Sequence, residues 1–88
     1  MHAVVTHARI ADRERAEQFL REQVIPGVSG APGFVTGHWV NVGGDRGVSI
    51  SVFESEDAAK QVVDRVQTPP GDVVTIESQE VGEVVGNA

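Results

Sequence analysis

Six side chains are of types, and at spacings, that suit the binding or turnover of a small organic molecule: His7, Trp39, Asn41, Ser49, Phe53 and Glu77. An imidazole titrates near neutral pH, so His7, with Arg9 beside it on the same strand face, is a candidate general base. The plainer alternative is a partly exposed strand histidine. Trp39 is the only tryptophan in a chain without tyrosine. Its indole offers a flat wall and one N–H donor to an aromatic ligand, and it serves equally well as an anchor between subunits. Asn41 and Ser49, with Ser51 and Thr75, carry donors and acceptors that either orient a hydroxyl or carbonyl or hold water in a wet cavity. Glu77 is a second acid–base candidate if it is buried beside the rings of Trp39 and Phe53. Otherwise it is an ion-pair partner for Arg9 or an exposed edge residue.

Other chemistries are disfavoured by what is missing or misplaced. The chain has no cysteine. His2 and His7 lie at opposite parity on one strand, and His38 falls on the parity opposite His7, so no metal site is expected. No cofactor is expected either. Gly43-Gly44 lies between two strands with no helix N-terminus behind it, which makes it a turn and not a phosphate cradle. Seven Lys and Arg against thirteen Asp and Glu give a net charge of −6. Such a surface repels phosphate, which argues against nucleic acid and anionic membranes as partners. No apolar run approaches the ~20 residues of a membrane span, and the start lacks a signal-peptide pattern, so a cytoplasmic protein is expected.

These residues must be positioned by a single domain of 88 residues. A core that small is thin, and without disulfides or a metal the remaining support is a partner chain. The 17 valines cluster in short segments that favour strands. His2 to Ile10 reads as the first strand. Asp12 then caps a helix from Arg13 to Ile25 with Ala16, Phe19, Leu20 and Val24 on one stripe. Pro26 and Gly27 either end it or kink it before a short extra turn. Phe34 to Val42 and Gly47 to Phe53 form a hairpin through a glycine-rich turn. Ser55 caps a second helix carrying Ala59, Val62, Val63 and Val66, which must stop before Pro69-Pro70. Val73 to Val81 is the fourth strand, and the tail to Ala88 is a last strand or an arm.

The order βαββαβ predicts an α+β, ferredoxin-like fold: an antiparallel sheet with both helices on one face. Alternation assigns the faces. Val48, Ile50 and Val52 suit the space under the helices, as do Val74 and Ile76. The mixed sets, Ser49, Ser51 and Phe53 on the third strand and Thr75, Glu77 and Gln79 on the fourth, then fall on the open face. Trp39 and Asn41 join them from the second strand, and Val5, His7 and Arg9 from the first. A face holding Trp39, Phe53 and Val5 should not remain in water. Homodimerisation through the sheet faces would cover it and enclose a pocket.

At this point the residues resemble a known family. Pro32-Gly-Phe34, then two strands, then Phe53-Glu-Ser-Glu-Asp-Ala58 opening the second helix is similar to the antibiotic-biosynthesis-monooxygenase-like group of dimeric α+β barrels. The resemblance runs from the first strand to the fourth. It implies a cofactor-independent monooxygenase-like protein that takes a small aromatic or quinol-type molecule in a pocket between sheet and helices. The alternative is a non-catalytic small-ligand-binding dimer. Family members that oxidise aromatic substrates carry an Asn four residues before a Trp that precedes the cap; the matching positions here are Ser49 and Phe53. Haem-degrading members use a histidine on the second helix, and Ser55 to Gln67 contains none. On this reading His7 is the base, Trp39 and Phe53 are the walls, and Asn41 and Ser49 are the donors.

Overall fold

The valine-rich segments become four strands, β1 (His2–Ile10), β2 (Phe34–Gly43), β3 (Arg46–Phe53) and β4 (Val74–Glu83), in a computed structural model that describes residues 1–65 and 71–88. They form one antiparallel sheet in the order β2-β3-β1-β4. The β2–β3 hairpin turns at Gly43 and Gly44, whose φ angles of 114° and 57° are conformations that side-chain-bearing residues rarely adopt. Val84 N–H donates to the Met1 carbonyl at 2.9 Å, so the tail begins by continuing the pairing of β4 with the chain start. With two helical connections on one sheet face, this is the ferredoxin-like α+β architecture.

The first connection is more elaborate than one helix. Asp12 accepts the Arg15 N–H at 3.1 Å and starts α1 (Arg13–Phe19). A π-helical turn, Leu20–Val24, follows, and α2 (Ile25–Ser29) completes the run. Pro26 has no N–H to donate, and its ring would crowd the preceding turn. The wider π turn, in which Ile25 N–H reaches back to the Leu20 carbonyl, makes that room. Of the two outcomes left open at Pro26, the chain takes the extra turn. The second connection is α3 (Glu56–Val63), capped by Ser55 Oγ accepting the Ala58 N–H at 3.1 Å. Val66 and the Pro69-Pro70 stop lie outside the described residues.

The faces of β2 and β3 are opposite to the expectation. Cross-strand partners share a face, and Val5 pairs with Ile50 and His7 with Val48. Val48, Ile50 and Val52 therefore lie on the open side with Val5, His7 and Arg9. Thr6 pairs with Ser49, and Ser49 with Trp39, which carries those side chains to the helix side. The reason is volume: a phenyl ring removes more apolar surface from water than a valine does. Phe53, at 0% exposure, is the largest fully buried side chain. It meets Phe34 edge to face at 5.9 Å and packs with Val4, Ala59 and Val62. The aromatics take the core and the β-branched aliphatics are left outside.

On β4, Val74 and Ile76 are under the helices as expected, and Thr75 and Glu77 are not. A bulge then changes the register: His7 pairs with Ser78 but Ala8 with Ile76, leaving Glu77 as the extra residue. Beyond it Gln79 and Val81 face the helices, so Gln79 moves from its expected place on the open side to a position opposite Thr6.

Candidate functional site

The core and the cavity occupy different ends of the same layer. α3 packs directly on β1, β3 and β4, and α2 on β2, whereas α1 and the π-helical turn stand farther from the sheet. The gap is a half-open cavity of about 200 Å³. Its roof is Ala16, Phe19 and Leu20 with Val24 and Val28; its floor is the helix side of the sheet. The π turn matters here because it sets where Leu20 and Val24 point.

Sheet pleating brings a band of neutral polar groups into that floor: Thr6, Asn41, Ser49, Ser51 and Gln79, flanked by Val4, Ala8 and Ile76. Trp39 closes one side. Its ring lies across Gly37, where a Cβ would come within 3.0 Å of the indole carbons, so the glycine is what allows the ring to lie flat on the strand. Gln79 Nε2 donates to Thr6 Oγ1 at 3.2 Å across the β1–β4 pair. Asn41 Oδ1 accepts the Gly43 N–H at 3.0 Å and helps shape the hairpin turn. Glu17 is the one ionisable side chain lining the cavity among the described residues, and it accepts from Arg13 Nε at 3.1 Å.

The candidate residues thus separate into three groups. Trp39, Asn41 and Ser49 line the cavity. Phe53 belongs to the packed core beside it and does not form its wall. His7 and Glu77 lie on the opposite side of the sheet, in a separate recess with Val42 and Arg46. There Arg9 pairs with Glu77 at 3.6 Å and with Asp45 at 3.7 Å. Glu77 is therefore the Arg9 partner, and within one chain His7 is separated from the cavity by the sheet. Sequence reasoning missed Thr6 and Gln79 as a cavity pair. Thr6 was readable from the parity of β1, but Gln79 was hidden by the bulge.

Ionisation is tuned well away from this site. A hydrogen bond from Lys60 Nζ at 2.7 Å holds the Glu56 carboxyl below its ordinary value, and the same bond raises Lys60. Both lie on the solvent side of α3, with His2 Nε2 at 3.5 Å from Glu56. Among the described residues, no group of three or more His, Cys, Asp or Glu side chains is placed to hold a metal ion.

Fold and cavity together define a ferredoxin-like domain with a small-molecule-sized space between sheet and helices. The chain shares this fold with a crystallised mutant of MhuD that has two manganese protoporphyrin IX molecules bound per active site. The two superpose with a TM-score of 0.68 at 18% identity, over 100% of this chain and 98% of that one. No family profile and no curated protein matches the sequence. No helix among the described residues is long and apolar enough to cross a membrane.

Proposed function

We propose that the cavity binds a small aromatic, quinol-type molecule, and that the chain acts as a homodimer joined through its open sheet faces. The observation that supports binding is the lining itself: an apolar roof and an aromatic side wall over a floor of neutral donors and acceptors. That is the usual composition of a small-molecule site. The volume sets the ligand's size. An engineered cavity of about 150 Å³ admits benzene, so about 200 Å³ suits one or two fused rings.

A porphyrin does not fit. Its macrocycle is larger than the one or two fused rings the cavity suits, and no His, Cys or Met lines the space among the described residues. The porphyrins held by the structural neighbour are therefore not carried over.

Binding is the function this geometry supports best. The cofactor-independent monooxygenase-like reading adds a demand, because a quinol gives up an electron to oxygen readily only once deprotonated. With His7 and Glu77 on the other side of the sheet, Glu17 is the group at the cavity for that proton. Calorimetric titration with 1,4-dihydroxynaphthalene under anaerobic conditions tests binding, and Trp39→Ala is expected to weaken it at least tenfold through loss of the wall. Admission of oxygen tests turnover. Uptake above the spontaneous rate that falls in Glu17→Gln, with label from oxygen-18 gas found in the product, would establish an oxygenase; uptake that yields only the quinone and hydrogen peroxide would not. Uptake at the spontaneous rate, with binding intact, would leave a binding module.

The dimer is supported by the aliphatic residues left outside. Val40 and Ile50 are 52% and 44% exposed, and Val42, Val48 and Val5 lie around them on one face. Contiguous apolar surface of this kind marks an interaction site, and covering it would also enlarge a core that is small for independent stability.

A further inference from the structure

The proposed quinol-type ligand does not by itself say which side chains would recognise its hydroxyl or what they would exclude, and the cavity floor narrows both. Every polar side chain of the floor is uncharged. The arginines nearest in sequence to the floor strands, Arg9 and Arg46, lie on the opposite side of the sheet, and Arg13 on α1 is engaged by Glu17. A carboxylate or sulfonate entering the cavity would lose its hydration, meet no cation among the described residues and face Glu17.

A neutral hydroxyl would be received differently. Because Gln79 Nε2 donates to Thr6 Oγ1, the threonine hydroxyl hydrogen and Gln79 Oε1 remain for a further partner. One donor and one acceptor side by side are the complement of a phenol-type O–H, which both accepts and donates. The pair sits between Ile76 and Val4 on the floor, with Ser49 and Ser51 beside Thr6 on the neighbouring strand.

We infer that Thr6 and Gln79 form a specificity point that selects uncharged, hydroxyl-bearing one- or two-ring molecules and excludes their carboxylate analogues. The inference rests on the binding reading above. Such selectivity follows from partial burial: a hydrogen-bonding pair covered by an apolar ligand, or a charge left unpaired, is penalised where the bound ligand displaces water from the floor.

The test compares 2-naphthol, naphthalene and 2-naphthoate at neutral pH, with the protein's single indole N–H resonance as readout. The expected order is 2-naphthol tighter than naphthalene by about fivefold or more, from one net hydrogen bond, and tighter than 2-naphthoate by at least tenfold. In the double variant Thr6→Val, Gln79→Leu the preference for 2-naphthol over naphthalene is expected to vanish while naphthalene affinity holds or rises. Should the double variant not fold, Thr6→Val or Gln79→Leu alone is expected to reduce the preference for 2-naphthol over naphthalene, and Gln79→Glu to weaken 2-naphthoate further. Equal affinities for 2-naphthol and 2-naphthoate, or a hydroxyl preference that survives the double variant, would overturn this inference and leave the binding reading standing. Failure of both 2-naphthol and naphthalene to bind would overturn the binding reading and this inference together.

Discussion

Phe53→Ala is expected to destabilise the domain by about 3–5 kcal/mol, the usual range for deleting a fully buried phenylalanine. Phe53 is wholly buried, packs against Val4, Ala59 and Val62, and meets Phe34 edge to face. Replacement would open a void that helix α3, directly above, is too well packed on three strands to fill by small shifts. A domain of this size has a total stability at the low end of about 5–15 kcal/mol, so the variant should keep no more than about 2 kcal/mol and be only marginally folded at ordinary temperatures. Urea denaturation followed by far-ultraviolet circular dichroism measures this directly. The residue also separates two accounts of the site. As a pocket wall, Phe53 could be truncated with loss of ligand affinity and little loss of stability; as core, it cannot. A stable Phe53→Ala protein would contradict the packing described above.

Ile50→Lys is expected to do the reverse, breaking the dimer while leaving the fold intact. Ile50 pairs with Val5 and His38 on the side of the sheet away from the core, so a lysine there meets only water in a lone chain. Between two sheets it would bury an ammonium beside Val5 and His38, with the nearest carboxylate in register, Glu80, a strand farther off beyond Val5, at a cost of about 3 kcal/mol. That corresponds to over a hundredfold in the dimer dissociation constant. Sedimentation velocity over a range of concentrations, with circular dichroism as the folding control, gives the answer. Wild type should sediment as a dimer and the variant as a folded monomer. A wild type that stays monomeric at high micromolar concentration would contradict the dimer, and the valines of the open face would then lack a cover. The cavity, which lies on the other side of the sheet, would be unaffected.

The order of elements could be read from the sequence because local chemistry dictates it. Asp12 and Ser55 cap the helices they were expected to cap, the two glycines of Gly43-Gly44 turn the hairpin, and the valine runs form the strands. The sidedness of the sheet could not be read in the same way. Alternation shows that Ile50 and Ser51 face opposite sides, but not which side the helices cover. That choice is collective, made by the volume of Phe34, Phe53 and Trp39 against the aliphatic residues beside them. Judging it by aliphatic character alone turned two strands over.

The candidate site inherits both lessons. Trp39, Asn41 and Ser49 stayed together because they were moved together: β2 and β3 are locked in register, so an error of face carried all three to the helix side as a unit. His7 was separated from them because β1 had been assigned to the correct faces while β2 and β3 had not. Gln79 depended on one bulged residue, Glu77, and nothing in the local composition of β4 signals the bulge. The resemblance on Pro32-Gly-Phe34 and the Ser55 cap agrees with the ferredoxin-like architecture already read from the order of elements, since both are structural features. Of the polar floor it pointed to Asn41 and Ser49 but not to Thr6 or Gln79, on which the proposed ligand preference rests.

The most direct test of the central claim is a titration of isotope-labelled protein with 2-naphthol, followed through the Trp39 indole N–H. With one tryptophan in the chain there is a single such signal, and it reports on the wall of the cavity. A saturable shift of that resonance, with movement of the Thr6, Ser49 and Gln79 amides and little change at the exposed hairpin turn around Gly44, is the expected result. An indole signal that stays in place up to the solubility limit of the ligand, in protein shown to be folded, would contradict a binding role for the cavity.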